Sequence, residues 1–229
     1  MKTIGLLGGT SWPSTIDYYR ILNELAQERL GGFHSADLLL RSIDYHAIKS
    51  RYYDRWHDIP TLLRREIENF VALGPSCLIL CNNTLHKAYD DIAADLDLRI
   101  PVFHAVTESA RAAQALGAHS VLLLGTQFTM EDGFYQLGLE RAGLVVTVPD
   151  AADRSVIQAV QSELARGALT DEHRRTLTAL IGKHAGRVDA AVLACTELPL
   201  AVTPQNSPLP LVNPTAAQCR AAFDYAIAP

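Results

Sequence analysis

Residues 78–87 read LILCNNTLHK: a run of aliphatics, then Cys81, then three small polar residues. Residues 191–200, AVLACTELPL, repeat the design with Cys195 followed by Thr196 and Glu197. A short run that is apolar at consecutive positions reads as a strand covered on both faces, the kind that builds parallel sheets. The two cysteine-ending strands are CLILC (77–81) and DAAVLAC (189–195). Further strands are read at TIGLL (3–7), ADLLLRSI (36–43), VFH (102–104), SVLLLG (120–125), LVVTV (144–148) and LPLVN (209–213). Between them, helical periodicity predicts helices over 14–30, 61–73, 85–96, 107–116, 130–142, 154–166, 171–184 and 216–226. Strands alternating with helices place the chain in the α/β class, with parallel sheets and covering helices.

An internal echo divides that α/β chain. IGLLGGT (4–10) resembles VLLLGT (121–126), and about seventy residues after each comes an aliphatic strand ending in cysteine. After each cysteine follow a helix-like segment and a short strand opening with proline, at Pro101 and Pro210. One α/β unit used twice predicts two similar domains facing each other. The expected boundaries are 1–103 together with 211–229 for the N-terminal domain and 104–210 for the C-terminal one.

A length of 229 residues is enough for one large or two small cored domains. The net charge of −5 and a pI near 5.9 offer nucleic acid or a membrane surface no electrostatic attraction. The basic stretches KSRYYDR (49–55) and LLRREIE (62–68) are short and mixed with acids, which reads as solvated helix surface. Gly8 and Gly9 break the apolar start before it reaches the length of a secretory leader, and no run approaches a membrane span. A cytoplasmic protein is expected, with its four cysteines reduced.

Parallel α/β sheets bind ligands at the carboxyl ends of their strands, where Cys81 and Cys195 both stand. By default a cysteine in a strand is a small buried hydrophobe, and Cys77 and Cys219 are read that way. Two at matching places of a repeat, each followed by hydroxyl or amide residues, argue for chemistry. Asn82, Asn83, Thr84 and Thr196 are candidate helix caps, and a thiol at a helix N-terminus is expected to have a lowered pKa. Gly8 and Gly9 are expected to let the backbone approach a small ligand. His86 lies one turn past Cys81, within reach of either the thiol or solvent. Lys49, Arg51 and Arg55 could clamp an acid or simply lie in a solvated loop. No metal is expected, because the eight histidines are scattered and CLILC lacks a second cysteine pair. The glycines of GLLGGTSW miss the G-x-G-x-x-G spacing of a dinucleotide site, and no G-x-S-x-G elbow makes a serine the nucleophile.

MKTIGLLGGTSWPSTIDYY, LCNNTLHK, LLGTQFTM and ACTE, in that order, resemble the cofactor-independent aspartate/glutamate racemases, most closely their broad-specificity bacterial branch. The resemblance covers nearly the whole chain. It implies two pseudo-symmetric α/β domains, an active site in the cleft between them, no cofactor, and a homodimer. Cys81 and Cys195 match the two catalytic cysteines, which act on opposite faces of an amino acid to interconvert its L- and D-forms. Gly9, Thr10, Asn82, Asn83, Thr84, Thr126, Thr196 and Glu197 become candidate substrate-binding residues. Thr10 stands where relatives often have methionine. Lys49 and Arg51 are the candidates to hold a second carboxylate, and Ala165-Arg166 occupies the other such place. Maleate isomerases and hydantoin racemases of the same superfamily also use two cysteines. A carboxylate-binding module or a redox sensor with one oxidisable thiolate is the reading from another class.

Overall fold

The computed structural model describes residues 1–229. They form two compact units, Met1–Ala105 with Gln218–Pro229, and Val106–Ala217. The first contains β1 (Ile4–Gly8), α1 (Trp12–Leu30), β2 (Leu38–Ser42), α2 (His46–Lys49), α3 (Ile59–Val71), β3 (Cys77–Leu80) and α4 (Leu85–Asp90). The chain then runs through α5 (Ala105–Ala115), β4 (Ser120–Gly125), α6 (Gln127–Glu131), α7 (Phe134–Arg141), β5 (Val145–Thr147), α8 (Ala151–Leu164), α9 (Asp171–Gly182), β6 (Ala190–Ala194) and β7 (Leu211–Val212). It ends in α10 (Pro214–Ile227), most of which belongs to the first unit.

Both sheets are parallel, ordered β2-β1-β3 and β5-β4-β6-β7. The repeat extends to a detail. Leu78 bridges Val102 beside β3 and its N–H donates to the Pro101 carbonyl, just as Ala191 pairs with Leu211 and donates to the Pro210 carbonyl. The expected strand at 102–104 is therefore only a single bridge.

β1, β3 and β6 are buried at every position because helices cover both faces. Alternation sorts the side chains. Ile4, Leu6, Cys77 and Ile79 pack with α1 and α10 through Tyr18, Leu22 and Phe223. Leu7, Leu78 and Leu80 pack with α3 through Leu63, Ile67 and Phe70. In the second unit Leu122, Leu124 and Leu193 face α8 and α9, while Leu123 and Val192 face α5 and α7. Each such aliphatic side chain contributes about 1.5–3 kcal/mol on leaving water.

The expected helices differ by two or three residues at one end or the other, and two of them differ in more than their ends. The one expected over 130–142 is broken at Gly133, whose φ of 90° is left-handed, leaving α6 and α7. The one over 85–96 stops at Asp90 and gives way to a 3-10 turn at Ala93–Asp95. The last starts earlier, at Pro214, a residue suited to the first helical turn. No helix is long and apolar enough to cross a membrane.

Candidate active site

Cys81 follows β3 directly. Its N–H donates to the Leu7 carbonyl, continuing the β1–β3 ladder, and its carbonyl accepts from the Thr10 hydroxyl at 2.9 Å. Asn82 binds this turn together. Its Nδ2 donates to the Thr10 carbonyl (3.1 Å) and to the Tyr45 hydroxyl (3.3 Å), and its Oδ1 accepts the Leu85 N–H (2.9 Å). Of the candidate caps Asn82, Asn83 and Thr84, it is therefore Asn82 that caps α4; the Thr84 backbone is already helical and its side chain makes no capping bond. Tyr45 and Tyr52 are hydrogen-bonded to each other through their hydroxyls, and Tyr52 also bonds Thr84. Asn83 is buried, and its Oδ1 has no partner. An acceptor left in that state costs about 1–3 kcal/mol, which a ligand donor would recover.

Cys195 follows β6 in the second unit. Its Sγ donates to Glu197 Oε2 at 2.9 Å, and the Thr196 hydroxyl donates to the same oxygen at 2.9 Å. Thr126, at the end of the neighbouring strand β4, caps α6 by accepting the Thr129 N–H, and it shares a hydroxyl hydrogen bond with Thr129. The two cysteines are offset by one residue in register. Leu80 pairs with Leu7, which puts Cys81 level with Gly8; Ala194 pairs with Gly125, so Cys195 lies one position beyond the matching glycine. One residue reverses the face of a side chain. Cys81 accordingly joins the cluster of α1 and α10, and Cys195 the cluster of α8 and α9.

The expected lowering of the thiol pKa is overturned at both positions. Burial pushes Cys81 far above the usual thiol range, and burial together with the Glu197 carboxylate pushes Cys195 up as well. The helix-dipole argument fails for local reasons. α4 has only six residues, and Cys195 is followed not by an α-helix but by a 3-10 turn, Leu198–Leu200. Both thiols rest protonated.

The glycine reading is corrected too. At Gly8 a Cβ would lie 2.4 Å from Thr15 Cγ2, and at Gly9, with φ at 84°, it would lie 2.3 Å from the Ile43 carbonyl oxygen. What approaches these glycines is the chain itself. The Gly9 N–H is likewise taken, by Thr15 Oγ1 at 3.0 Å. The next residue but one, Ser11, opens α1 at φ 147°, the one non-glycine at positive φ.

His86 touches neither the thiol nor solvent. It is fully buried, with Nδ1 2.8 Å from the Asn82 carbonyl and Nε2 3.4 Å from Gln218 Nε2. Arg51 donates to the Ala47 carbonyl and pairs with Asp58 at 3.4 Å. Arg55 also reaches Asp58, at 3.7 Å. Lys49 Nζ lies 4.3 Å from the centre of the Tyr52 ring. Cys77 and Cys219 are core residues, as read from the sequence. No group of three or more His, Cys, Asp or Glu side chains converges as a metal site would require. The sequence reading missed Tyr45, Tyr52, Tyr18 and Gln218; the tyrosines of 45–53 crowd one short stretch, but Tyr18 and Gln218 carry no local signal.

A family model described as Asp/Glu/Hydantoin racemase matches residues 7–222. A Yersinia pestis protein provisionally assigned as an Asp/Glu racemase is 36% identical over the whole of both chains, with a TM-score of 0.90. An aspartate racemase homologue from Pyrococcus horikoshii is 26% identical over the whole of both chains, with a TM-score of 0.88. Among curated proteins, a glutamate racemase of Streptococcus equi subsp. equi is 28% identical over 147 residues, 63% of this chain and 51% of the relative. The chain thus spans about half the length of the curated relatives it matches. With 7–222 matched and both cysteine-ending strands inside that span, the chain belongs to the Asp/Glu/Hydantoin racemase family.

Proposed function

We propose that this protein racemises a small acidic or otherwise polar amino acid, without pyridoxal phosphate, using Cys81 and Cys195 as a pair of acid–base groups. The observation that carries the reading is the recurrence of one arrangement in both units. A buried thiol stands at the carboxyl end of the strand beside the sheet's first strand, with hydroxyl and amide groups next to it.

Both thiols are held protonated, so turnover begins by ionising one. Glu197 is placed for this: the proton of Cys195 passes along the 2.9 Å contact to the carboxylate and leaves a thiolate. The substrate's α-ammonium favours that thiolate by proximity, and the unpaired Asn83 Oδ1 is an acceptor for the same ammonium. The thiolate then takes the Cα proton. The Cα–H electron pair delocalises into the substrate carboxylate, and the Cys81 thiol delivers its proton from the other face. The products are the opposite enantiomer, a Cys195 thiol and a Cys81 thiolate. The developing charge needs preorganised donors, each worth roughly 10² to 10³ in rate. Thr84 and the Asn83 amide are assigned that role, joined by the Thr196 hydroxyl when it turns from Glu197 to the substrate. The pair titrates as one unit, because one member must be ionised while the other is not.

Lys49 and Arg51 are engaged within their own segment, which favours a site not restricted to dicarboxylates. A homodimer is part of the proposal, supported by the exposed stripe Trp12, Ile16 and Tyr19 along α1. The test is a panel of free L- and D-amino acids in deuterium oxide with no added cofactor, read for α-proton exchange and loss of optical activity. Exchange on at least one polar amino acid is expected. Turnover of a hydantoin with none of any free amino acid would overturn the reading.

A further inference from the structure

Tyr18, His86 and Gln218 are fully buried, and buried polar groups are retained only when paired. The Tyr18 hydroxyl donates to Gln218 Oε1 at 2.8 Å, and Gln218 Nε2 donates to the Phe103 carbonyl at 2.7 Å. These two bonds determine which end of the amide is oxygen. Gln218 therefore presents a donor to His86 Nε2, 3.4 Å away, and that ring nitrogen has to be the acceptor. The ring proton is left on Nδ1, which donates to the Asn82 carbonyl at 2.8 Å. That carbonyl and the Asn83 N–H belong to one planar peptide and point in opposite directions. Holding the first aims the second.

We propose that Gln218 and His86, anchored by Tyr18, are positioning residues for Cys81: they lock the Asn82–Asn83 peptide so that the Asn83 N–H and side chain meet the substrate in one orientation. The reaction they serve is the racemisation proposed above. His86 is suited to the task because it stays neutral. Burial and the neighbouring His104 ring, 4.3 Å away, push its pKa well below the usual histidine range. The other titratable groups around it are Asp90, paired with His104 at 3.2 Å, Tyr89 against the His104 ring, and Tyr18, bonded to Gln218. The Asn83 carbonyl is a second acceptor close to the ring.

The experiment combines imidazole nitrogen NMR of the intact protein with kinetics of three variants. The wild-type His86 ring should show a protonated Nδ1 and a bare Nε2 from about pH 5 to 8. His86→Leu and Gln218→Leu should move the Asn83 amide resonance and lower kcat about a hundredfold, the scale of a small misplacement at a reacting centre. KM should change much less. His86→Asn, whose Nδ2 can stand where Nδ1 stood, should recover the Asn83 resonance and most of kcat. A ring protonated at Nε2 would overturn the proposal. So would a folded His86→Leu with parental kcat and an unmoved Asn83 amide, or a His86→Asn no better than His86→Leu. If the leucine variants do not fold, the wild-type tautomer and the asparagine variant still decide. A wild-type protein that racemises nothing would defeat the proposed function, while the two NMR signals would judge the positioning role separately.

Discussion

Cys81 and Cys195 differ in what surrounds them, and their removal should differ accordingly. Cys195 has the Glu197 carboxylate 2.9 Å from its sulfur, whereas burial alone raises Cys81. In the proposed mechanism, and as the family resemblance implies, Cys195 would take the proton of the L-form and Cys81 that of the D-form. Cys81→Ala should abolish net racemisation while keeping slow α-proton exchange on the L-enantiomer, and Cys195→Ala should show the opposite selectivity. The double variant should be little worse than either single one, because parts of one catalytic unit fail together. Deuterium incorporation measured separately on each enantiomer checks this, and parental racemisation by a folded Cys81→Ala protein would remove Cys81 from the mechanism. The buried thiols also set a stability limit. In the folded protein Cys77 is pushed up from 9.0 to about 11. A raised pKa in the fold means the stabilising contribution is complete below about pH 9 and is lost as pH rises through about 11. The urea midpoint should therefore fall as pH rises above about 9, and that of Cys77→Ala should fall less steeply than the parent's.

At the scale of elements, the turn between β1 and α1 is held by close backbone approach. Gly9 sits at φ 84° with Ile43 backbone atoms where a Cβ would go, so Gly9→Ala meets conformational strain and overlap together. A loss of about 2 kcal/mol or more is expected, seen as a lower Tm. Relief of the clash would have to displace the end of β2, which begins the segment carrying Tyr45 and Tyr52. An unchanged Tm would show that the loop yields freely. Asn82 does the corresponding work after β3, since one side chain both caps α4 and ties it to Thr10 and Tyr45. Asparagine suits it because a single short amide offers donor and acceptor to the local backbone at once.

At the scale of the whole molecule, the duplication is a matter of topology more than of identical sites. Strand order and the proline-opened edge recur in both units, yet the cysteines are offset by one residue and have unlike neighbours. Outside the sheets, Trp12, Ile16 and Tyr19 are 68%, 54% and 53% exposed and recur at helical spacing, a stripe on α1 that a second copy would cover. Light scattering should give twice the 25.0 kDa of one chain, and Trp12→Asp combined with Ile16→Asp should give the single mass. A parent that is monomeric at micromolar concentration would remove the dimer from the proposal.

The strands were legible because burial on both faces leaves an unbroken aliphatic run, and CLILC and DAAVLAC could hardly be anything else. The repeat was legible for the same reason, and with it the placing of Cys81 and Cys195 at strand ends. Helix ends were less so: a left-handed Gly133 separates α6 from α7, and α4 stops at Asp90, neither of which periodicity records. The state of the thiols was decided only by tertiary structure, because desolvation depends on everything packed around a group; local sequence suggested lowered pKa values, and burial reversed the sign. The same holds for Gly9 against Ile43, for Arg51 drawn to Asp58, and for Gln218 meeting Tyr18 from 200 residues away. Periodicity is a property of neighbours along the chain, while charge state and hydrogen-bond partnership belong to neighbours in space.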